Sequence, residues 1–129
     1  MNGNVLLDTN IVVALFARDE AVVTAISQTT GLFIPAIVVG ELAFGAHNSQ
    51  QKAGNIQRME DFIAEHVILD CNVQTAYKYG QIKGILKQQG RPIPENDIWI
   101  AAIAVQYQLP LVSRDNHFAH IPHLNWIKW

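Results

Sequence analysis

The chain has one cysteine in 129 residues, no apolar run of membrane-spanning length and only a slight charge imbalance. Cys71 alone cannot form an internal disulfide and has no cysteine neighbour to complete a zinc site, so it reads as a small core residue. No stretch reaches the roughly 18 uncharged apolar residues of a membrane helix, and the N-terminus lacks the basic region and long apolar core of a signal peptide. The expectation is a cytoplasmic protein with no membrane contact. Nine Lys and Arg against eleven Asp and Glu leave −2, which argues against holding nucleic acid by bulk positive charge alone. Internal repeats, low-complexity tracts and linker-like Pro/Gly/Ser stretches are also missing. What the chain does have is apolar residues, 50% of the total, enough at this length for one compact domain over residues 1–129.

Those apolar residues fall into alternating elements. Val5-Leu6-Leu7 is short and continuous, as a strand buried on both faces would be. Ile11 to Ala17 and Ala21 to Gln28 read as helices, with Asp19 as N-cap of the second. Leu32-Phe33-Ile34 is a second strand, and Pro35 suits the first turn of a helix running to about His47. Lys52 to Glu65 is helical, with Ile56, Met59, Phe62 and Ile63 on one face, and Val67-Ile68-Leu69 is a third strand. Val73 to Gln89 carries Ala76, Tyr77, Ile82, Ile85 and Leu86 as its apolar residues and is stopped by Gly90 and Pro92. Glu95 to Tyr107 is a last helix, Leu111-Val112 a fourth strand, and the tail with Trp126 and Trp129 adds an edge strand. The implied class is α/β, a three-layer α/β/α arrangement with a central parallel sheet of four to five strands.

In such sheets ligands bind beyond the carboxyl ends of the strands, and that rule sorts the acids. Asp8 directly follows strand one, and Asp115 lies three residues after Val112. Glu41 sits about six residues into the helix after strand two, only ~9 Å from its start. Asp97 lies in the first turn of the helix before strand four, although Pro92 and Pro94 do not reveal where that helix begins in space. Each acid taken alone has a plainer reading: Asp8 as a helix cap, Asp97 as a favourable charge against the helix dipole, Asp115 as a turn residue. Glu41 interrupts the apolar stretch AIVVGELAFGA, where an unpaired carboxylate is costly, so a salt bridge or a metal is needed. Together the four could converge on one edge. Carboxylates within ~5 Å repel by about 3 kcal/mol per pair at an effective dielectric near 20, so a cation must bind or some must protonate. Oxygen-only ligands favour Mg²⁺, with Mn²⁺ as a substitute. Asn10, Asn96, Ser113 and Asn116 flank three of the acids and could position them, while Thr9 and Asn10 start the next helix and support Asp8. Nine basic residues against the seven remaining acids leave +2 for the rest of the chain.

The ordered set LLDTN at 6–10, GEL at 40–42, ENDIWIAAIA at 95–104 and LVSRDNHF at 111–118 resembles the PIN-domain ribonucleases, most closely the VapC-type toxins of bacterial toxin–antitoxin pairs. Four motifs in register carry a weight that none has singly. By that resemblance Asp8, Glu41, Asp97 and Asp115 match the family's acidic quartet, Ser113 stands where threonine is frequent, and His117 stands near a position where many relatives carry a second acid. The resemblance implies a Mg²⁺-dependent endoribonuclease acting as the toxin of a toxin–antitoxin pair, with a five-stranded parallel sheet, a homodimer, an RNA substrate and a cognate antitoxin that blocks the site.

Candidate substrate contacts are Arg114 and the stripe Lys83, Lys87 and Arg91, which recurs every four residues, though a solvated helix face explains that stripe as well. His117, His120 and His123 are spaced by three, but Pro122 breaks any helix that would align them into a zinc site. Trp99 and Trp126 could stack on bases or pack in the core. Two alternatives compete with the nuclease reading. One is a catalytically inactive PIN-like domain that only binds a partner. The other is a Mg²⁺-binding receiver-type signalling domain, which would phosphorylate an aspartate after strand three, where this chain has Asp70. A phosphatase with an aspartyl nucleophile would want a second aspartate where Asn10 stands.

Overall fold

A computed structural model of the chain describes residues 3–129. Five strands form one parallel sheet in the order β3-β2-β1-β4-β5. They are β1 (Asn4–Leu7), β2 (Gly31–Pro35), β3 (Val67–Leu69), β4 (Leu111–Val112) and β5 (Trp126–Ile127). The helices are α1 (Thr9–Phe16), α2 (Glu20–Ser27), α3 (Ala36–His47), α4 (Lys52–Ala64), α5 (Val73–Gln88) and α6 (Glu95–Tyr107). They cover both sides of the sheet, as its continuous apolar strands require. β1 is central, and Val5, Leu6 and Leu7 are all buried. α6 is apolar on nearly every side, with Ile98 and the whole run from Ile100 to Ala104 buried, so it is a core helix rather than an amphipathic cover.

The topology decides where a ligand can sit. From β1 the chain steps outward through β2 to β3, then crosses to the other side of β1 for β4 and β5. That reversal opens a crevice at the carboxyl ends of β1 and β4. Leu7 pairs with Val112 in the sheet, so the next residues, Asp8 and Ser113, emerge side by side. A receiver domain has the strand order 2-1-3-4-5, with its third strand beside its first. Here β3 is an edge strand and Asp70 leaves the sheet two strands away from Asp8, which removes the receiver alternative.

Local chemistry explains most element boundaries. Asp19 caps α2 by accepting from Val22 N–H at 3.3 Å, and Asn72 and Thr75 form a reciprocal capping box at the start of α5. Gly90 ends that helix region with φ +65, a conformation that suits a residue without Cβ. Three expectations need correction. Pro35 ends β2 and caps α3 from outside instead of sitting in its first turn. Cys71 is exposed, because it follows a three-residue edge strand whose Val67 is itself half exposed. On α5 the buried residues are Thr75, Ile82 and Leu86, while Tyr77 is 64% exposed. The tail does add an edge strand, but Trp129 lies beyond it, and its carbonyl accepts from Arg114 Nε at 2.9 Å.

Candidate active site

Asp8 closes β1 and opens α1. Its N–H donates to the Val112 carbonyl at 3.0 Å, which continues the β1–β4 ladder by one residue. Its Oδ1 accepts from Thr9 N–H at 2.8 Å, and its Oδ2 from the Ser113 hydroxyl at 2.7 Å. Helix cap and candidate ligand are thus one residue. Ser113, fully buried, also accepts from Asp115 N–H at 3.0 Å and from Asn10 Nδ2 at 3.4 Å. Asn10 Oδ1 in turn accepts from Arg114 N–H at 3.3 Å, tying the start of α1 to the loop after β4.

The other acids arrive from separate elements. Glu41 projects from α3, where Thr9 Oγ1 donates to Oε1 at 2.5 Å and Asn96 Nδ2 to Oε2 at 3.4 Å. Thr9 therefore serves Asp8 through its backbone and Glu41 through its side chain, a division that the expectation of support for Asp8 alone did not include. Asp97 lies in the first turn of α6, whose N-cap is Pro94, so the helix dipole favours a carboxylate there. Asp115 caps a 3₁₀ turn over Asn116–His120 by accepting from His117 N–H at 2.9 Å. The His117 ring closes the group, with Nδ1 3.1 Å from Asp97 Oδ2 and 2.9 Å from Asp115 Oδ1.

Among the described residues, no lysine or arginine pairs with any of the four acids. Burial pushes the Asp8 carboxyl up from 3.8 to about 6, against the pull of the Ser113 and Thr9 donors, and the charges of Asp97 and Glu41 add to the rise. Asp97 is also raised, again chiefly by burial, with His117 opposing and the charges of Asp115 and Glu41 contributing. Neighbouring carboxylates thus add to the rise at both Asp8 and Asp97, and a cation between them would relieve it. The donor set fits a divalent ion: carboxylate oxygens from four elements, and one ligand atom each from Asp97, Asp115 and His117 within 4.8 Å of one another.

The flanking candidates divide. Asn10, Asn96 and Ser113 bond within the acid cluster or to its immediate supports, whereas Asn116 Oδ1 accepts from Lys128 Nζ at 3.2 Å. Arg114 pairs with Asp19 at 3.0 Å and with the Trp129 carbonyl, so its guanidinium fastens the tail and α2. Lys83 pairs with Glu95 at 3.0 Å and also donates to Tyr79 Oη. Lys87 and Arg91 are exposed and line, with Lys83, a pocket of about 340 Å³ beside the start of α6. Trp99 stacks on Tyr79 at 4.0 Å, and Trp126 Nε1 donates to the Ser113 carbonyl at 3.0 Å; both rings are engaged inside the protein. Two features escaped the sequence reading. His117 reads from sequence as a member of a histidine triplet and as a neighbour of a position where relatives carry a second acid, but its ring contact with both Asp97 and Asp115 is visible only in the structure. An apolar groove of about 390 Å³, lined by Val13, Phe16, Leu42 and Met59, opens beside Thr9 and Glu41; its residues come from three helices and share no sequence pattern.

The same residues can be set beside known proteins. The PIN domain family profile matches residues 5–124. Ribonuclease VapC2 of Haemophilus influenzae is 37% identical over 127 residues, covering 96% of both chains. The tRNA(fMet)-specific endonuclease VapC of Shigella flexneri is 30% identical over 127 residues, again with 96% of both covered. In the crystal structure of VapBC2 from Rickettsia felis bound to a promoter DNA fragment, one chain superposes with a TM-score of 0.90 at 27% identity, covering 98% of each chain. The chain belongs to the PIN domain family, among its VapC members.

Proposed function

We propose that this protein is an endoribonuclease that hydrolyses RNA phosphodiester bonds with a divalent cation, Mg²⁺ or Mn²⁺, and that it acts as the toxin of a toxin–antitoxin pair. The observation that carries the proposal is the convergence of Asp8, Glu41, Asp97 and Asp115, from four separate elements, on the crevice between β1 and β4, with Asp8 only 5% exposed and, among the described residues, no basic side chain paired to it. A structural cluster would carry its own lysine or arginine, whereas a site that works on an ion leaves that place to the ion. When bound, such a cation supplies Lewis-acid activation of water and offsets charge building on the scissile phosphate.

The chain's own groups do the holding. Asp8 is locked by two donors of different kinds, one backbone and one hydroxyl, so its carboxylate has a single orientation. Thr9 and Asn96 clamp opposite oxygens of Glu41. Ser113 links Asp8 to Asp115 through one oxygen atom, so the two acids keep their spacing. With water attacking in place of the ribose 2′-hydroxyl, the products carry a 5′-phosphate and a 3′-hydroxyl. Nothing in the acid cluster rejects DNA; the choice of RNA comes from shape and 2′-hydroxyl contacts outside it, and the relatives named as ribonucleases support that choice. Of the candidate contacts Lys83, Lys87, Arg91 and Arg114, Lys87 and Arg91 remain exposed for the RNA backbone. The VapBC neighbours support an antitoxin partner, and the groove beside Glu41 offers a partner peptide an apolar seat next to the acids. A homodimer follows the same family reading.

The test is cleavage of a labelled total-RNA pool in Mg²⁺ or Mn²⁺, beside an EDTA control and the Asp8→Asn and Asp97→Asn variants. Discrete fragments with 5′-phosphate ends, absent with EDTA and in both variants, are expected. A wild-type protein that cuts nothing, or variants that cut equally well, would return the domain to a partner-binding role.

A further inference from the structure

His117 contributes something the four acids do not, a nitrogen donor inside the same crevice. Its Nδ1 lies 3.1 Å from Asp97 Oδ2 and 2.9 Å from Asp115 Oδ1. As an N–H donor the ring has one proton for two acceptors at this edge; as a ligand its lone pair would join both carboxylates on a single ion. Both separations are ordinary hydrogen-bond lengths, and they also admit the second arrangement. Ligands standing at right angles about 2.1 Å from a common ion are about 3 Å from each other, the separations seen here. The ring's position is also set from behind. His117 N–H donates to Asp115 Oδ1 at 2.9 Å, and the next residue, Phe118, is 1% exposed and fixes the 3₁₀ turn in the core. Asp97 and His117 come from α6 and this turn respectively, so two rigid pieces of backbone bring them together.

We propose that His117 Nδ1 ligates the same divalent cation as Asp97 and Asp115, making a mixed nitrogen–oxygen site that prefers a first-row transition ion such as Mn²⁺ to Mg²⁺. Imidazole adds little for a hard ion that keeps its waters and much more for ions further along the first transition row. The proposal rests on the metal-dependent reading above.

The experiment is Mn²⁺ titration of the purified protein followed by electron paramagnetic resonance, with electron spin-echo modulation to detect directly coupled nitrogen. Wild type, His117→Ala, His117→Gln and Asp97→Asn are compared, and Mg²⁺ competition is run in each. Wild type is expected to show imidazole ¹⁴N modulation. His117→Ala and His117→Gln lose it and bind Mn²⁺ about tenfold more weakly, with Mg²⁺ affinity changed less than about threefold. His117→Gln keeps a hydrogen-bond donor toward the acids, so a merely structural role for His117 would leave its Mn²⁺ affinity intact. Mn²⁺ bound in an Asp97-dependent way without nitrogen modulation overturns the role of His117 and leaves the metal site standing. Mn²⁺ that fails to bind wild type, or binds Asp97→Asn equally, overturns both.

Discussion

Asp8→Asn should stabilise the metal-free protein at neutral pH while removing its cation site. Asp8 is held at about 6 in the folded chain against 3.8 for a free carboxyl, a difference of roughly two units or about 3 kcal/mol. The pKa is raised on folding, so the folded state keeps its proton where the unfolded state has lost it. Stability from this group is therefore fully present below about pH 4 and is lost as pH rises through about 6. At pH 7.5 the ionised, buried carboxylate costs nearly the full amount; at pH 4.5 it costs about 1 kcal/mol. Asparagine has no charge to desolvate. Its amide must, however, face either the Thr9 N–H or a Ser113 hydroxyl that already accepts from Asp115 and Asn10, which costs about 1–2 kcal/mol. The variant should thus be more stable than wild type by about 1–2 kcal/mol at pH 7.5, and this advantage should shrink by about 2 kcal/mol at pH 4.5. For a chain of this length that relative movement is about 7 °C in melting temperature. Thermal unfolding in EDTA at the two pH values reads it directly. A difference between the proteins that does not change with pH would show that Asp8 is not the strained carboxylate described here.

Divalent ions should reverse that order: Mn²⁺ at about 100 times its dissociation constant adds about 2.7 kcal/mol to wild type, near 10 °C, and nothing to Asp8→Asn or Asp97→Asn; equal shifts in wild type and variants would place the ion elsewhere. Ser113→Ala removes one of the two donors to Asp8 and the acceptor of Asp115 N–H, and urea unfolding should show a loss of about 1–3 kcal/mol together with weaker Mn²⁺ binding. Thr75→Val removes a fully buried hydroxyl that completes the α5 capping box and donates to Gln106 Oε1; it should cost about 1–2 kcal/mol in stability and leave RNA cleavage unchanged. A Thr75→Val protein with normal stability would mean the cap does not anchor α5.

The acids at strand ends were the legible part of the site. Asp8 and Asp115 follow apolar strands, and a parallel sheet delivers whatever follows its strands to one edge. Glu41 stood out because nothing polar surrounds it in sequence. Asp97 was harder to place, since two prolines hide the direction of the chain until Pro94 is seen to cap α6. Pairings between side chains were not legible: that Thr9 turns to Glu41, or that Arg114 reaches Asp19 and Trp129, depends on side-chain directions that spacing does not encode. Cys71 failed for a related reason, because burial of a short strand depends on whether it lies at the centre or the edge of the sheet, and strand order is a tertiary property. His117 was legible as a neighbour of Asp115, but its reach to Asp97 on α6 depends on how the turn after β4 packs against that helix.

The most direct measurement is the anomalous scattering of a crystal grown with Mn²⁺. A peak in the crevice between β1 and β4, ligated by the carboxylates of Asp8 and Asp97 and lost in Asp97→Asn crystals, is the expected result. Crystals with no peak there, and with the four acids neutralised by a lysine or arginine or left as a hydrogen-bonded cluster, would contradict the claim that these residues are a metal-dependent nuclease centre.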